Sequence, residues 1–232
     1  MEISLSARLK ICCGFVCPGD RVADIGCDHG YLGIYLLKTG KAASVIAADV
    51  KTGPLESAVK NAEKYGVTDR ISFHLSDGVQ NVPRDFDTLV CAGMGADTMI
   101  TILQAAPWLK SNKYRLILQC QSKTPLLRSY LSEQGYRITE ESVVRDGRFL
   151  YTVMEVCWQP GYSLSAGECY FPPALLENPS AELPEYYSQV ISKLRRVVNG
   201  QKENTDPKIL AALSELETLA DTPELKWLKE KL

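Results

Sequence analysis

Asp24-Ile25-Gly26-Cys27-Asp28-His29-Gly30, entered from the apolar pair Val22-Ala23 and left through Tyr31-Leu32-Gly33-Ile34-Tyr35-Leu36-Leu37, decides the reading of this 232-residue chain. An acidic residue closes a strand, two glycines let the backbone turn beneath a ligand, and a helical run opens with its N-terminus facing that turn. A dinucleotide fingerprint would read G-x-G-x-x-G and cradle a pyrophosphate. Here Gly26 and Gly30 enclose an Asp-His pair, and the carboxylates of Asp24 and Asp28 would repel a phosphate. They suit a ligand with a cationic amino-acid end, which points to S-adenosylmethionine. The plainer alternative is an ordinary β-to-α turn, since Gly and Asp mark turns of every kind.

Working outward, Val45-Ile46-Ala47-Ala48-Asp49 is a buried-type strand ending in an acid, at the distance where a Rossmann-like domain presents a carboxylate to ribose hydroxyls. Gly53-Pro54 then opens a helix with Leu55, Ala58, Val59, Ala62 and Tyr65 on one face and Gly66 as its stop. Ile71-Ser72-Phe73-His74-Leu75 alternates and ends at Ser76-Asp77-Gly78, where Asp77 can take an adenine amino group and Gly78 keeps the rim low. Each acid alone could be a solvated strand end. Three of them converge, because ligands gather at the carboxyl ends of strands in an open α/β sheet.

The fourth strand, Thr88-Leu89-Val90-Cys91-Ala92, runs into Gly93-Met94-Gly95-Ala96-Asp97 and a helix over 98–106. Two glycines around a flexible thioether let this loop approach a cofactor and a flat base, unless Met94 is simply tucked into the core. Leu116-Ile117-Leu118 makes a fifth strand ending in Gln119-Cys120-Gln121, followed by a helix over 124–134. Strands over 137–144 and 149–156 flank Asp146-Gly147, a hairpin signal. Five strands alternating with helices, then a hairpin, is an α/β layout.

The ordered set Leu5-Ser6-Ala7-Arg8-Leu9, Val22 through Leu32, Gly53-Pro54, Asp77-Gly78 and Ala92-Gly93-Met94-Gly95 resembles the TrmK family of bacterial tRNA (adenine-22) N1-methyltransferases, over residues 5–155. The resemblance implies a Rossmann-like class I methyltransferase sheet of seven strands, one antiparallel, with a C-terminal helical, coiled-coil-like extension. It implies S-adenosyl-L-methionine as cofactor and tRNA as partner. The cofactor-binding candidates are Asp24, Gly26, Asp28, His29, Gly30, Asp49, Asp77, Gly78, Ala92 and Gly93. For the substrate they are Tyr31, Met94, Gly95 and Asp97 around the base, with Lys193, Arg195 and Arg196 on phosphates. Asp97 doubles as the catalytic candidate, an acceptor for the exocyclic amine or for developing positive charge. Two positions depart from the family pattern: Ala96 stands where a second glycine is usual, and Gln119-Cys120-Gln121 where Gln-Pro-Asn is usual. Ala disfavours a positive φ, and losing Pro-Asn removes a stiff turn and an amide from the base-facing rim.

Bulk properties bound the rest. The chain is 45% hydrophobic, enough for a full core, and its net charge of −2 and pI near 5.8 argue against nonspecific coating of RNA. Two runs are nonetheless basic without an acid: 98–132, with Lys110, Lys113, Arg115, Lys123 and Arg128, and 190–202, with Lys193, Arg195, Arg196 and Lys202. They either grip phosphates or form solvated faces. With two histidines and eight cysteines lacking any C-x-x-C pair, free thiols and no metal site are expected. No stretch is long enough to span a bilayer and 11–17 is too short for a signal sequence, so a cytoplasmic protein with no membrane contact is expected.

The domain reading is a cofactor-binding domain over 1–159, a Pro-rich connector over 160–182 and a helical extension over 183–232. In the extension, a helix over 184–199 carries Tyr187, Val190, Ile191, Leu194, Val197 and Val198 on one stripe and closes at Asn199-Gly200. Asp206-Pro207 opens a second, with Ile209, Leu210, Leu213, Leu216 and Ala220, and Thr222-Pro223 a short last one to Leu232. The two stripes can close on each other as an antiparallel pair. Against an RNA methyltransferase stand two alternatives: a methyltransferase for a small molecule or protein on the same sheet, and a noncatalytic binder that works through its helical tail.

Overall fold

Residues that alternate in sequence alternate between two cores. Along β1 (Asp20–Ile25), Ala23 and Ile25 face one apolar cluster while Val22 faces another; along β4 (Thr88–Met94), Leu89 and Cys91 oppose Val90; along β5 (Arg115–Cys120), Leu116 and Leu118 oppose Ile117. The period of two forces these strands into the middle of a sheet covered on both faces. With β2 (Ala42–Asp49), β3 (Ile71–Leu75), β6 (Tyr136–Asp146) and β7 (Phe149–Trp158) they form seven strands in the order β3-β2-β1-β4-β5-β7-β6. β7, between β5 and β6, alone runs opposite to the other six strands. The computed structural model describes residues 3–231, without the side chains of Glu203, Glu230 and Lys231; Met1, Glu2 and Leu232, at the ends of the expected domains, lie outside the described residues.

Helices α1 (Ala7–Phe15), α2 (Tyr31–Lys38) and α3 (Thr52–Tyr65) cover one face, and α4 (Ala96–Gln104) and α5 (Thr124–Glu133) the other. Gly66, left-handed at φ 64°, caps α3 as its sequence pattern requires. β1 pairs with both β2 and β4, so connections leave it in opposite directions across the sheet. The crevice at such a switch point opens at the ends of β1 and β4, beside the turn of residues 26–30.

Three differences from the expected elements bear on the site and the tail. β4 continues through Gly93, at φ 81°, to Met94, with a bulge between Ala92 and Met94, and α4 begins at Ala96; the expected loop of five residues shrinks to Gly95. α8 (Leu183–Gln201) runs through Asn199-Gly200 and ends at Lys202, whose φ of 48° breaks the helix. The last segment, Pro223–Lys231, is 3-10 rather than α-helical.

The Pro-rich stretch over 160–182 folds two short helices, α6 (Ala166–Tyr170) and α7 (Ala174–Glu177). Phe171 and Leu175 from this stretch pack in one cluster with Val143 of β6, Leu183, Tyr187, Ile191 and Leu194 of α8, and Ala212 and Leu216 of α9 (Pro207–Leu219). The Tyr187 hydroxyl donates to the Leu216 carbonyl at 2.8 Å. The tail therefore closes on the hairpin of the sheet as well as on itself.

The first basic run is used internally. Arg128 is wholly buried against Glu141, with Nη2 to Oε1 at 2.6 Å, and donates to the carbonyls of Cys169 and Tyr170. Arg115 pairs with Asp20 and Glu155, Lys110 reaches Gln134, Lys113 reaches the Arg84 carbonyl and Lys123 reaches Asp97. An acid-free run in sequence is here not an acid-free surface, because acids arrive from β1, α4, β6 and β7. All eight cysteines are free thiols.

Candidate active site

The turn after β1 is held by its neighbours. The amides of Gly26 and Cys27 both donate to the Ala48 carbonyl, at 2.8 and 2.9 Å, so the chain folds back over the end of β2. Gly26 sits at φ 72°, and a Cβ there would collide with the Met94 methyl. Asp28 adopts φ 50°, a left-handed conformation that costs a non-glycine residue energy. Its amide donates to Asp49 Oδ2 at 3.1 Å, while Asp49 Oδ1 accepts the Lys51 amide at 2.9 Å. Asn61 Nδ2 donates to the His29 carbonyl at 2.9 Å, tying the turn to α3.

Two cavities flank this turn. The first, about 340 Å³, is lined by Arg8, Asp24, Cys27, His29, Tyr31, Ala92, Gly93 and Gln121 among others. The second, about 300 Å³, takes in Asp49, Lys51, Ser76, Asp77, Gly78 and Ile102. Gly26, Asp28 and Met94 line both, so the cavities meet across a backbone without a side chain and beneath a flexible thioether. The three acid-ended strands reach two adjoining cavities, Asp24 the first and Asp49 and Asp77 the second.

Asp24 supplies the distinctive electrostatics. Its carboxyl is buried, its Oδ2 has no hydrogen-bond partner among the described residues, and it lines the first cavity. Burial, reinforced by the nearby Asp49 charge, pushes it up to about 7, although the Gly33 backbone amide favours the ionised form. An unpaired buried acceptor of this kind is costly unless a donor from a ligand reaches it. Arg8, from α1, faces the same cavity; its Nη1 donates to Gln119 Oε1 at 2.8 Å and its Nε pairs with Asp146 at 3.1 Å. A cation and an anion at one end of a cleft match a zwitterionic amino acid, and acids at the other match hydroxyl and amino donors. The Cys27 thiol in the cavity wall and the Cys91 thiol in the core behind it are driven upward by burial and by Asp24, and are therefore protonated and unreactive.

A methyltransferase-domain family model matches residues 5–154. The tRNA (adenine(22)-N(1))-methyltransferase of Bacillus subtilis is 30% identical over 97% of this chain and 96% of its own length. The chain belongs to the TrmK family. A Streptococcus pneumoniae structure in complex with S-adenosyl-L-methionine superposes with a TM-score of 0.79 at 31% identity, covering 90% of this chain and 97% of that one. TrmK of M. capricolum, in complex with S-adenosyl-homocysteine, gives 0.76 at 27% identity, covering 97% and 99%.

Both departures from the TrmK pattern find a local explanation. Ala96 is the first residue of α4, fully buried, with its amide on the Ser122 carbonyl at 3.1 Å; it does not adopt a positive φ and pays no strain. Gln119 is fully buried, and its Oε1 accepts both Arg8 Nη1 and the Gly93 amide, the latter at 3.0 Å. Cys120 turns into the core. The Gln121 amide donates to the Met94 carbonyl at 2.8 Å, so the ends of β4 and β5 stay paired into the rim. Gln121 itself lines the first cavity and keeps an amide at that position.

Within this TrmK-family cleft, Asp24, Gly26, Asp28, His29, Asp49, Asp77, Gly78, Ala92, Gly93, Tyr31 and Met94 all line one cavity or the other. Gly30 and Gly95 do not. Gly30, at φ 73°, opens α2 and allows it to approach Ala58, and a Cβ on Gly95 would meet Ser122 Oγ at 2.9 Å. Asp97 lies on the first turn of α4 outside both linings, its side chain 67% exposed and paired with Lys123. Lys193, Arg195 and Arg196 stand exposed on α8, with Arg195 paired to Glu217 at 2.7 Å. Sequence reasoning missed Arg8, which lines the first cavity, and Gln119, which holds it from behind, although both lie inside quoted motifs. Among the described residues no group of His, Cys, Asp or Glu side chains could hold a metal ion, and no helix is long and apolar enough to cross a membrane.

Proposed function

We propose that this protein transfers a methyl group from S-adenosyl-L-methionine to N1 of adenine 22 in tRNA. The observation that carries it is the pair of cavities meeting at Gly26 and Met94, with the unpartnered Asp24 carboxyl at one end and Asp49 and Asp77 at the other. When bound, the cofactor supplies an electrophilic methyl group on a sulfonium. Asp24 accepts its ammonium, Arg8 pairs with its carboxylate, Asp49 accepts from ribose hydroxyls and Asp77 from the adenine amine. Adenine N1 carries its own lone pair, so the chain need remove no proton before attack. Its work is to hold N1 in line with the methyl group and exclude water. Tyr31, 39% exposed and lining the first cavity, offers a flat ring and Met94 at the seam a flexible apolar surface for an extruded base.

Exposed Lys193, Arg196 and Lys202 on and after α8 supply phosphate contacts away from the cleft, and a tRNA substrate sets the reaction in the cytoplasm. The test is transfer of labelled methyl groups to bulk tRNA with the product nucleoside identified by mass spectrometry. N1-methyladenosine is expected, with activity at subsaturating RNA falling as salt rises. Methyl groups on the exocyclic nitrogen, or none on tRNA, would refute the chemistry.

Acidity gives a separate prediction. An ionised Asp24 is needed to hold an ammonium, so cofactor affinity should fall as pH drops below about 7. The linked effect on stability has the opposite sense. The folded chain keeps this proton up to about 7 while the unfolded chain releases it near 3.8, so Asp24 stabilises the cofactor-free fold at low pH and that contribution disappears as pH rises to 7. Asp24→Asn should bind cofactor weakly and with little pH dependence. Calorimetric titrations of both proteins from pH 5.5 to 8.5 read this directly, and a wild-type affinity flat across that range would remove Asp24 from the ammonium site.

A further inference from the structure

The β6–β7 hairpin is a strong sequence feature that methyl transfer, as described, does not use. Its turn is Gly147-Arg148, with Gly147 at φ 60°, between the paired residues Asp146 and Phe149. Phe149, Tyr151 and Val153 share one face of β7. Val153 is buried in the core beneath α1 and Tyr151 packs against that core, but Phe149 emerges past it, 52% exposed, its ring centroid 6.1 Å from that of Tyr151. The Arg148 guanidinium lies 4.9 Å from the Phe149 centroid. A large ring carried beyond the core, with a guanidinium over it, offers a stacking face and a phosphate partner side by side.

The tip is tied to the cleft. Asp146 holds Arg8 at 3.1 Å, and Arg8 lines the first cavity together with Tyr31 and His29, whose rings stand 6.2 Å apart. On the opposite side Arg145 pairs with Glu185 at 2.6 Å, bracing the hairpin against the start of α8. The exposed ring is thus positioned by ion pairs to both the cleft and the tail.

We infer that Arg148 and Phe149 form a stacking platform for an unpaired nucleobase next to the target adenine, with Arg148 on the adjoining phosphate. The inference rests on the tRNA reading above. Extruding an adenine by its pairing edge leaves a neighbouring base unstacked, and an aromatic face flanked by a cation, on a hairpin tip whose Asp146 holds the cavity-lining Arg8, is what such a base requires.

The experiment measures kcat and KM for tRNA, and cofactor affinity, for the wild type, Phe149→Ala, Phe149→Trp and Arg148→Ala in the full chain. Phe149→Ala should raise KM for tRNA about tenfold, the scale of one lost base–aromatic stack, with cofactor affinity unchanged. Phe149→Trp should restore KM to within about twofold, because the larger ring keeps the stacking face, and Arg148→Ala should lessen its salt dependence. An unchanged KM in Phe149→Ala, or a Trp variant as poor as the Ala variant, overturns the platform. So does a wild-type dimer that Phe149→Ala makes monomeric without a change in KM. A wild type that does not methylate tRNA overturns the reading beneath it instead.

Discussion

Replacing Arg128 by Met should destabilise the protein by about 3–5 kcal/mol, the cost of leaving one member of a buried ion pair without its partner. Glu141 would remain fully buried with its carboxylate facing no cation. The carbonyls of Cys169 and Tyr170 and the Tyr186 hydroxyl would lose a donor at the same time. These groups come from α5, β6, the end of α6 and α8, so the loss is felt where the tail joins the sheet. Removing both charges together, as Arg128→Met with Glu141→Leu, should recover the part of the loss due to the unpaired Glu141 charge, since apolar replacements of similar volume spare both desolvation penalties, while the Cys169 and Tyr170 carbonyls stay without their donor. Urea unfolding of the two variants measures this, and a cost below about 1 kcal/mol for the single change would show that the pair does not hold the junction. The same geometry argues against deleting the tail to test its role in RNA binding. A chain ending near residue 159 would uncover Val143 and strip the carbonyl partners from Arg128, losing activity through the fold rather than through phosphate contacts.

Arg128 also marks a boundary of what the sequence could reveal. Strand and helix positions were legible because each follows from local periodicity and from Gly or Pro at the ends, and Asp24, Asp49 and Asp77 converge because topology alone brings carboxyl ends together. Charge neutralisation is nonlocal. Lys110, Lys113, Arg115, Lys123 and Arg128 read as a basic patch until Asp20, Asp97, Glu141 and Glu155 and the acceptors Gln134 and the Arg84 carbonyl are brought to them by the fold. Arg8 was hidden for the same reason: nothing in its own segment says that α1 lays it against Gln119 and Asp146, each more than a hundred residues away. The Ala96 and Cys120-Gln121 departures were visible but their consequences were not, since a glycine is needed only where φ is positive, and there Gly93 rather than Ala96 takes the bend. Glycine itself was over-read in one respect. Gly30 and Gly95 serve close packing against Ala58 and Ser122 and line neither cavity.

Asp49→Ala should cost about 1.5–3 kcal/mol of cofactor binding, roughly 10–150-fold in affinity, because hydrogen bonds to a charged acceptor are worth that much. The carboxylate has two duties in the cleft. It faces the second cavity, and it holds the Asp28 amide at 3.1 Å, which keeps the left-handed Asp28 and hence the turn beneath the ligand in place. Losing both should put the result toward the upper end of that range, and Asp49→Asn, which keeps one oxygen acceptor, should fall between the wild type and Ala. Calorimetry with S-adenosylmethionine and S-adenosylhomocysteine should show similar losses for the two, since the ribose is common to both; an affinity within about twofold of wild type would take Asp49 out of the site. A second readout separates an electrostatic role from a steric one. The Asp49 charge is one of the reasons the Asp24 carboxyl is pushed up, so its removal should let Asp24 ionise at lower pH. The pH at which binding weakens should therefore move below about 7 in Asp49→Ala, even though binding is weaker at every pH. A variant that loses affinity with no movement of that midpoint would have lost the turn and left the coupling between the two carboxyl groups unaccounted for.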